Sequence, residues 1–236
     1  MSRKPIKKSD ANKPWAAYRD RKRVRREERR YILVASEDKK SSIYYFAALN
    51  DRLKAHSATL GVIPKGIGRN TQSLVNFVKK HKDEWLKEVQ LDVDIDDFNE
   101  VWILFDRDGF PKCRFDNAIR SAESVANGFH VAWSNECFEL WYLLHFKDVT
   151  SPMMRKDIYS ELADFLKLKH SYEKYKGEDG LDIHKKMASH PNVGKAIKKA
   201  KRLHGSVVAD QVVPNEANPC TLVYLLVEKL LAQVDG

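Results

Sequence analysis

Residues 101–108 read VWILFDRD, and this stretch decides how the rest of the chain is interpreted. Five apolar residues in a row, bounded by polar ones, predict a short strand that is buried in a sheet. Asp106 and Asp108 follow that strand directly. A second run of the same kind, YILVA at residues 31–35, ends close to another acid, Glu37. Two predicted strands of this chain are therefore each followed by carboxylates.

Further strands and helices alternate around these two runs. Short apolar runs predict two more strands, at residues 59–63 and 129–133. Apolar residues at helical spacing predict the intervening helices, at residues 43–56, 71–88, 115–127 and 137–146. This alternation predicts an α/β fold with a four-stranded, mostly parallel sheet that is flanked by helices and joined by right-handed crossovers.

The C-terminal third of the chain has a different pattern. Residues 152–204 are typical of basic, interrupted helices, and residues 206–213 indicate a weak strand. Residues 222–231 predict an apolar helix that packs back on the sheet. The expected organisation is an N-terminal arm at residues 1–30, a catalytic domain at residues 31–150 and a helical extension at residues 151–236.

The net charge of +9 is accounted for by the first 30 residues, which hold 13 basic and four acidic side chains. An arginine-rich segment attracts phosphate backbones without reading base sequence. The alternatives are a solvated tail and an arm that pairs with an acidic partner subunit. The candidate nucleic-acid contacts are arginines of the arm and the basic residues that flank a glycine-containing loop, namely Arg21, Arg23, Arg25, Arg26, Lys65 and Arg69.

Other classes of protein are disfavoured by what the sequence lacks. No apolar run approaches about 20 residues, so we expect no membrane span. The N-terminus is basic with no apolar run behind it, so we expect no secretory signal. The three cysteines are far apart in sequence and form neither a disulfide framework nor a zinc motif, which favours the cytoplasm.

The acids at the strand ends are the strongest functional signal. Ligands of open parallel sheets bind at the carboxyl ends of the strands, so three carboxylates converge if the strands before Glu37 and Asp106 are neighbours. Alternation along an extended chain places Asp106 and Asp108 on the same side. Clustered carboxylates repel one another, and Mg²⁺ or Mn²⁺ relieves that repulsion and supports phosphoester chemistry. The alternative is an ordinary polar turn, such as follows most strands.

A glutamate after the first strand and an Asp-x-Asp after a later strand resemble the Toprim domain of topoisomerases, primases and nucleases. Further similarity is to the RloB-like family, which is encoded in restriction and abortive-infection gene neighbourhoods, often beside an ATPase. The similar blocks are ILVASEDKKSSIYYF (32–46), VWILFDRDGFP (101–111), VAWSNECFELWYLLHF (131–146) and NPCTLVYLLVEKL (218–230). The resemblance implies a Toprim-like fold and a prokaryotic antiviral nuclease.

One acid of the family pattern is missing from this chain. Many relatives carry Glu-Gly and then Thr-Glu in the first block, whereas here Asp38 follows Glu37, and Ser41-Ser42 stands at the Thr-Glu position. The third block supplies Glu139, the recurring acid of the RloB-like pattern, on an otherwise apolar helix where an acid is either paired or functional. Nucleases of the overcoming-lysogenization-defect type use a serine and a glutamate in this region, but we prefer Glu139 to Glu136.

The sequence thus predicts a metal-dependent nuclease that cleaves phosphodiester bonds of DNA or RNA, tRNA included. Glu37, Asp106 and Asp108 would bind Mg²⁺ or Mn²⁺, with Glu139 as a further catalytic acid. The expected partners are nucleic acid and an ATPase of the AAA or ABC type, and the oligomeric state is left open. One alternative is a nucleic-acid-binding or regulatory subunit of an ATPase-containing defence complex, with a degenerate metal site. Another is a nucleotidyl transferase, because the same site serves primases.

Overall fold

The apolar runs of the sequence form the strands of one sheet. The structure is a computed structural model, and it describes residues 30–54, 60–68, 71–89, 100–108, 111–125 and 129–232. The strands are β1 (Arg30–Ser36), β2 (Leu60–Gly66), β3 (Glu100–Asp106), β4 (His130–Asn135) and β5 (Cys220–Thr221). Their order across the sheet is β2-β1-β3-β4-β5. The predicted α/β class is therefore confirmed, and the architecture is compatible with a Toprim-like fold.

Four of the strands are parallel, as the alternation with helices predicts. The prediction of a four-stranded sheet is nevertheless incomplete, because β5 pairs with β4 in the antiparallel direction. Thr221 lies opposite Ser134, and Cys220 lies opposite Asn135. A strand of two residues is too short to give an alternating pattern, so no periodicity could indicate it.

Helices cover the sheet and extend beyond it. The helices are α1 (Ser41–Lys54), α2 (Thr71–Val89), α3 (Lys112–Glu123), α4 (Glu139–Leu143), α5 (Arg155–Leu166), α6 (Leu181–Ala188), α7 (Val193–Ala209) and α8 (Val223–Ala232). In the described residues, no helix is both long enough and apolar enough to cross a membrane. The four helices predicted between strands are all present, with ends that differ by a few residues where they are described.

The core lies between the central strands and the helices that follow them. The Phe115 ring on α3 makes edge-on contacts with Phe105 on β3 and Trp133 on β4, at centroid distances of 5.5 and 5.9 Å. On the last helix, Leu226 and Leu230 are fully buried, and α8 packs against β4. The prediction that the C-terminal helix returns to the sheet is correct. The division at residue 150 stays a prediction.

Residues 206–213 do not form the predicted strand, because α7 continues to Ala209. Ala196, Ala200, Leu203 and Val207 recur every three or four residues and turn one stripe of this helix toward the core. Val207 belongs to that stripe and Val212 packs against the core just after the helix, whereas Val208 and Val213 are exposed. Helical periodicity therefore overrides the β preference of valine here.

Strand β2 is longer at its end than the sequence predicts. It continues through Pro64 and Lys65 to Gly66, where a loop was expected. Pro64 is tolerated because β2 is an edge strand with one neighbour. A Cβ atom at Gly66 would approach the Lys39 Cα atom to 2.8 Å, so only glycine lets β2 pass this close to the turn after β1.

Candidate metal centre

Adjacent strands bring the first two acids together. Strands β1 and β3 are parallel neighbours, and Ser36 is in register with Leu104. The chain continues this pairing past the end of β1, where the Glu37 amide donates to the Leu104 carbonyl at 3.2 Å. The Asp106 amide in turn faces Glu37 Oε1 at 3.4 Å. The half-buried Glu37 side chain is thereby placed beside the last residue of β3.

The turn after β3 positions the third acid. The amides of Arg107 and Asp108 donate to the carbonyls of Ser134 and Glu136, at 2.8 and 3.2 Å. These bonds extend the pairing with β4 beyond the strand. Asp108 has a φ of 40°, which is in the left-handed region and sharply turns the chain. Arg107 points away from the acids, as alternation predicts, and its Nε donates to the Asn215 carbonyl at 3.3 Å.

The three predicted ligands therefore converge. Glu37, Asp106 and Asp108 each offer one carboxylate oxygen, and these oxygens lie within 4.8 Å of one another. Burial, and then the neighbouring charge of Glu37, raise the pKa of Asp106 well above its ordinary value. Three acidic oxygens in this arrangement match the ligand preference of Mg²⁺ and Mn²⁺. The donor set fits a divalent cation, which would remove the repulsion that raises this pKa.

A basic residue that the sequence did not indicate lies on the acid cluster. Arg155, the first residue of α5, forms an ion pair with Asp108. Its guanidinium also lies 3.8 Å from Asp106 Oδ2. No motif pointed to this arginine, because it lies far along the chain from both acids and within a segment that reads as ordinary basic helix.

Glu139 occupies a separate position behind the cluster. Its side chain is fully buried, accepts a hydrogen bond from Ser41 Oγ at 2.7 Å and lies 3.3 Å from Lys176 Nζ. Burial by itself would lower the pKa of Lys176, but the charge of Glu139 opposes this and the net pKa is raised. Glu139 is not one of the three converging ligands, although its charge contributes to the raised pKa of Asp106. It is thus a paired acid close to the centre.

Hydroxyl groups stand where the sequence resemblance implies a second acid. Ser42 Oγ forms a hydrogen bond with Ser36 Oγ at 2.8 Å, in the interior. The neighbouring Asp38 does not replace the acid, because its carboxylate accepts the amides of Lys40 and Ser42 at 2.9 and 3.2 Å. These contacts stabilise the start of α1. The first block therefore contributes Glu37 alone to the cluster.

Glu136, the other acid of the third block, supports the turn after β3 through its backbone. Glu136 is partly exposed, and its backbone carbonyl supports the Asp108 amide. Burial raises the pKa of the Glu136 carboxyl, and the charge of Arg107 opposes the shift. The nearby Ser134 hydroxyl is bonded to Thr221 Oγ1 at 2.8 Å and links β4 to β5.

The predicted basic contacts are described only in part. Lys65 lies on β2 and forms an ion pair with Glu88 at 2.5 Å, while its ammonium group lies 5.9 Å from the centre of the Trp85 ring. The partners of Lys65 favour a solvated, paired lysine. The remaining candidates lie outside the described residues, and their contact with nucleic acid stays a prediction, namely Arg21, Arg23, Arg25, Arg26 and Arg69.

Comparison with known proteins gives one match. The family model described as RloB-like protein matches residues 32–230, which is most of the chain. No curated protein and no solved structure matches. The matched range includes all four residues predicted to be catalytic, as well as Arg155 and Lys176.

Proposed function

The chain belongs to the RloB-like family, and we propose that it is a metal-dependent nuclease that cleaves phosphodiester bonds. The observation that carries this proposal is the convergence of Glu37, Asp106 and Asp108 at the carboxyl edge of the sheet. Oxygen ligands of this kind, held on rigid strand ends, suit Mg²⁺ or Mn²⁺. When bound, the ion would activate a water molecule and stabilise the charge that develops on the phosphate.

Each acid of the centre would contribute in its own way. Asp106, whose pKa is raised, holds a proton more readily than an exposed aspartate does, so metal binding displaces that proton and strengthens as pH rises. Asp108 and Glu37 flank it from the turn and from the neighbouring strand. Glu139 and Lys176 neutralise each other, and Glu139 holds the Ser41 hydroxyl at the start of α1. We assign this pair the task of fixing the start of α1 against α4, close to the acids.

The wider role that we propose is prokaryotic antiviral or abortive-infection defence in the cytoplasm. The support for this role is the family to which the chain belongs and its resemblance to nucleases of defence gene neighbourhoods. The basic arm and the acid centre together favour a nucleic acid as substrate, DNA or RNA, with tRNA included. The proposed protein partner is an ATPase of the AAA or ABC type.

A second candidate function is a nucleic-acid-binding or regulatory subunit with an inactive centre. Two observations favour it. The second acid of the first block is replaced by serine, and Arg155 already neutralises Asp108. An internal arginine in place of a metal ion would leave a fold that binds nucleic acid without cleaving it.

A cleavage assay separates the two candidates. Plasmid DNA, single-stranded DNA and total tRNA would each be incubated with the full chain and Mn²⁺ or Mg²⁺, with and without chelator. We expect cleavage of at least one substrate, lost with chelator and in Asp106→Ala. Asp51→Ala is the matched control, because Asp51 is an exposed aspartate on α1. Nucleic-acid binding without cleavage, both by the chain alone and together with the proposed ATPase partner, would favour the inactive subunit.

A further inference from the structure

Arg155 is held so that its guanidinium lies over the acid cluster. It forms an ion pair with Asp108 and lies 3.8 Å from Asp106 Oδ2. The Arg155 Nε atom is shielded from solvent and has no hydrogen-bond acceptor among the described residues. One donor of Arg155 therefore has no acceptor within the described part of the metal-free protein.

Contacts of the neighbouring backbone fix the start of the helix that carries Arg155, whereas the Arg155 side chain is partly exposed. Asn218 accepts from the Met153 amide at 3.1 Å and donates to the Met153 carbonyl at 2.9 Å. Further along α5, Ile158 and Leu162 are buried in the core. These contacts hold the start of α5 against the segment that leads into β5. The Arg155 side chain keeps 37% of its surface exposed, so it can change partners without moving the helix.

Guanidinium groups bind carboxylates and phosphates with the same planar pair of donors. Without metal, the acid cluster is the nearest anion, and Arg155 binds it. A divalent cation on the same carboxylates would neutralise them and repel the guanidinium. The nearest remaining anion would then be the phosphate that is to be cleaved.

We propose that Arg155 is the phosphate-binding residue of this centre and that it serves as the counter-ion of Asp108 and Asp106 until a divalent metal displaces it. This inference rests on the proposed nuclease function. It assigns one side chain two successive partners, the empty carboxylates and the substrate phosphodiester. A purely structural ion pair would instead keep the same partner in both states.

Mn²⁺ affinity distinguishes these possibilities, whether or not a cleaved substrate has been found. Isothermal titration calorimetry of the full chain would compare wild type with Arg155→Gln and Arg155→Lys. A counter-ion competes with the metal, so we expect Arg155→Gln to bind Mn²⁺ about tenfold more tightly, with Arg155→Lys close to wild type. Lys156→Gln is the matched control, because Lys156 is the next, exposed residue of α5 and its removal changes the charge equally. We expect its Mn²⁺ affinity to stay within about twofold of wild type.

Cleavage of whichever substrate the wild type cuts gives the second readout. We expect Arg155→Gln to lower kcat/KM about 100-fold although it binds the metal more tightly. Unchanged or weaker Mn²⁺ binding by a folded Arg155→Gln variant would overturn the counter-ion role, and undiminished cleavage would overturn the phosphate-binding role. Failure of the proposed nuclease function would give a different result. In that case wild type would bind no Mn²⁺, or Asp106→Ala would bind Mn²⁺ as tightly as wild type.

Discussion

Replacing Asp106 with asparagine should stabilise the metal-free protein and abolish its response to metal. The oxygens of Glu37, Asp106 and Asp108 lie within 4.8 Å of one another, and at an effective dielectric constant of about 20 each ionised pair at that separation repels by about 3.5 kcal/mol. The attraction between Arg155 and Asp106, which lie 3.8 Å apart, is about 4 kcal/mol and offsets part of this repulsion. Because Arg155 and Asp108 are partly solvated, we expect a net gain of about 2 kcal/mol in the free energy of unfolding.

The gain in the free energy of unfolding should increase as the pH rises. Burial, and next the charge of Glu37, raise the pKa of Asp106 in the folded state. Because the folded-state pKa of Asp106 is raised, the stability that protonated Asp106 contributes is fully present below the unfolded-state pKa of about 3.9. That contribution is lost as the pH rises through the folded-state pKa. The advantage of asparagine should therefore be small near pH 4 and should grow toward alkaline pH.

Urea denaturation in chelator, at acidic and at mildly alkaline pH, measures this effect. The control is Asp51→Asn, an equal change at an exposed aspartate. Adding Mn²⁺ at about 100 times its Kd should stabilise wild type by about 2.7 kcal/mol and should not stabilise Asp106→Asn. A variant that is less stable than wild type in chelator at alkaline pH would refute the electrostatic reasoning, as would a gain of equal size at both pH values.

Other contacts give further predictions. Glu139→Gln should lower the free energy of unfolding by about 3 kcal/mol, because the largely shielded Lys176 ammonium then keeps only the Tyr159 hydroxyl among the described residues and loses its anionic partner. A loss in urea denaturation below about 0.5 kcal/mol would contradict this. Burial lowers the pKa of His145 to about 4, so its ring should stay neutral in an NMR titration until well below pH 6.5. The stability that depends on neutral His145 is present above the unfolded-state pKa of about 6.5 and is lost as the pH falls toward 4. A titration midpoint near 6.5 would show that this histidine is solvated. Deleting residues 1–29 should flatten the dependence of nucleic-acid affinity on salt by about two units of log–log slope or more, whereas an unchanged slope would exclude the arm as a phosphate contact.

The sequence was sufficient to predict the edge of the sheet that carries the acids. Residues 101–108 combine a buried strand with its polar end, and the same pattern recurs at Glu37. Whether the acids meet depends on strand order, which periodicity does not reveal. The structure supplies that order by placing β1 beside β3. Local pattern therefore predicted the candidate ligands, and topology brought them together.

The basic side chains of the centre could not be predicted in the same way. Arg155 and Lys176 lie in the C-terminal region, where many lysines and arginines alternate with few distinguishing neighbours. What singles them out is a long-range contact, with Asp108 for one and with buried Glu139 for the other. Asn218, which holds the start of α5, also acts through tertiary contacts. Such roles depend on packing between segments distant in sequence, so composition and spacing give no signal of them.

The most direct test of the metal centre is an anomalous diffraction experiment on crystals of the full chain grown with Mn²⁺. We expect a strong Mn²⁺ peak bounded by the carboxylates of Glu37, Asp106 and Asp108, at the short oxygen distances of about 2.1 Å that hard divalent ions adopt. In the same map the guanidinium of Arg155 should have left Asp108. A map with no peak at these carboxylates, and with Arg155 still paired to Asp108 at saturating Mn²⁺, would contradict the proposed metal centre.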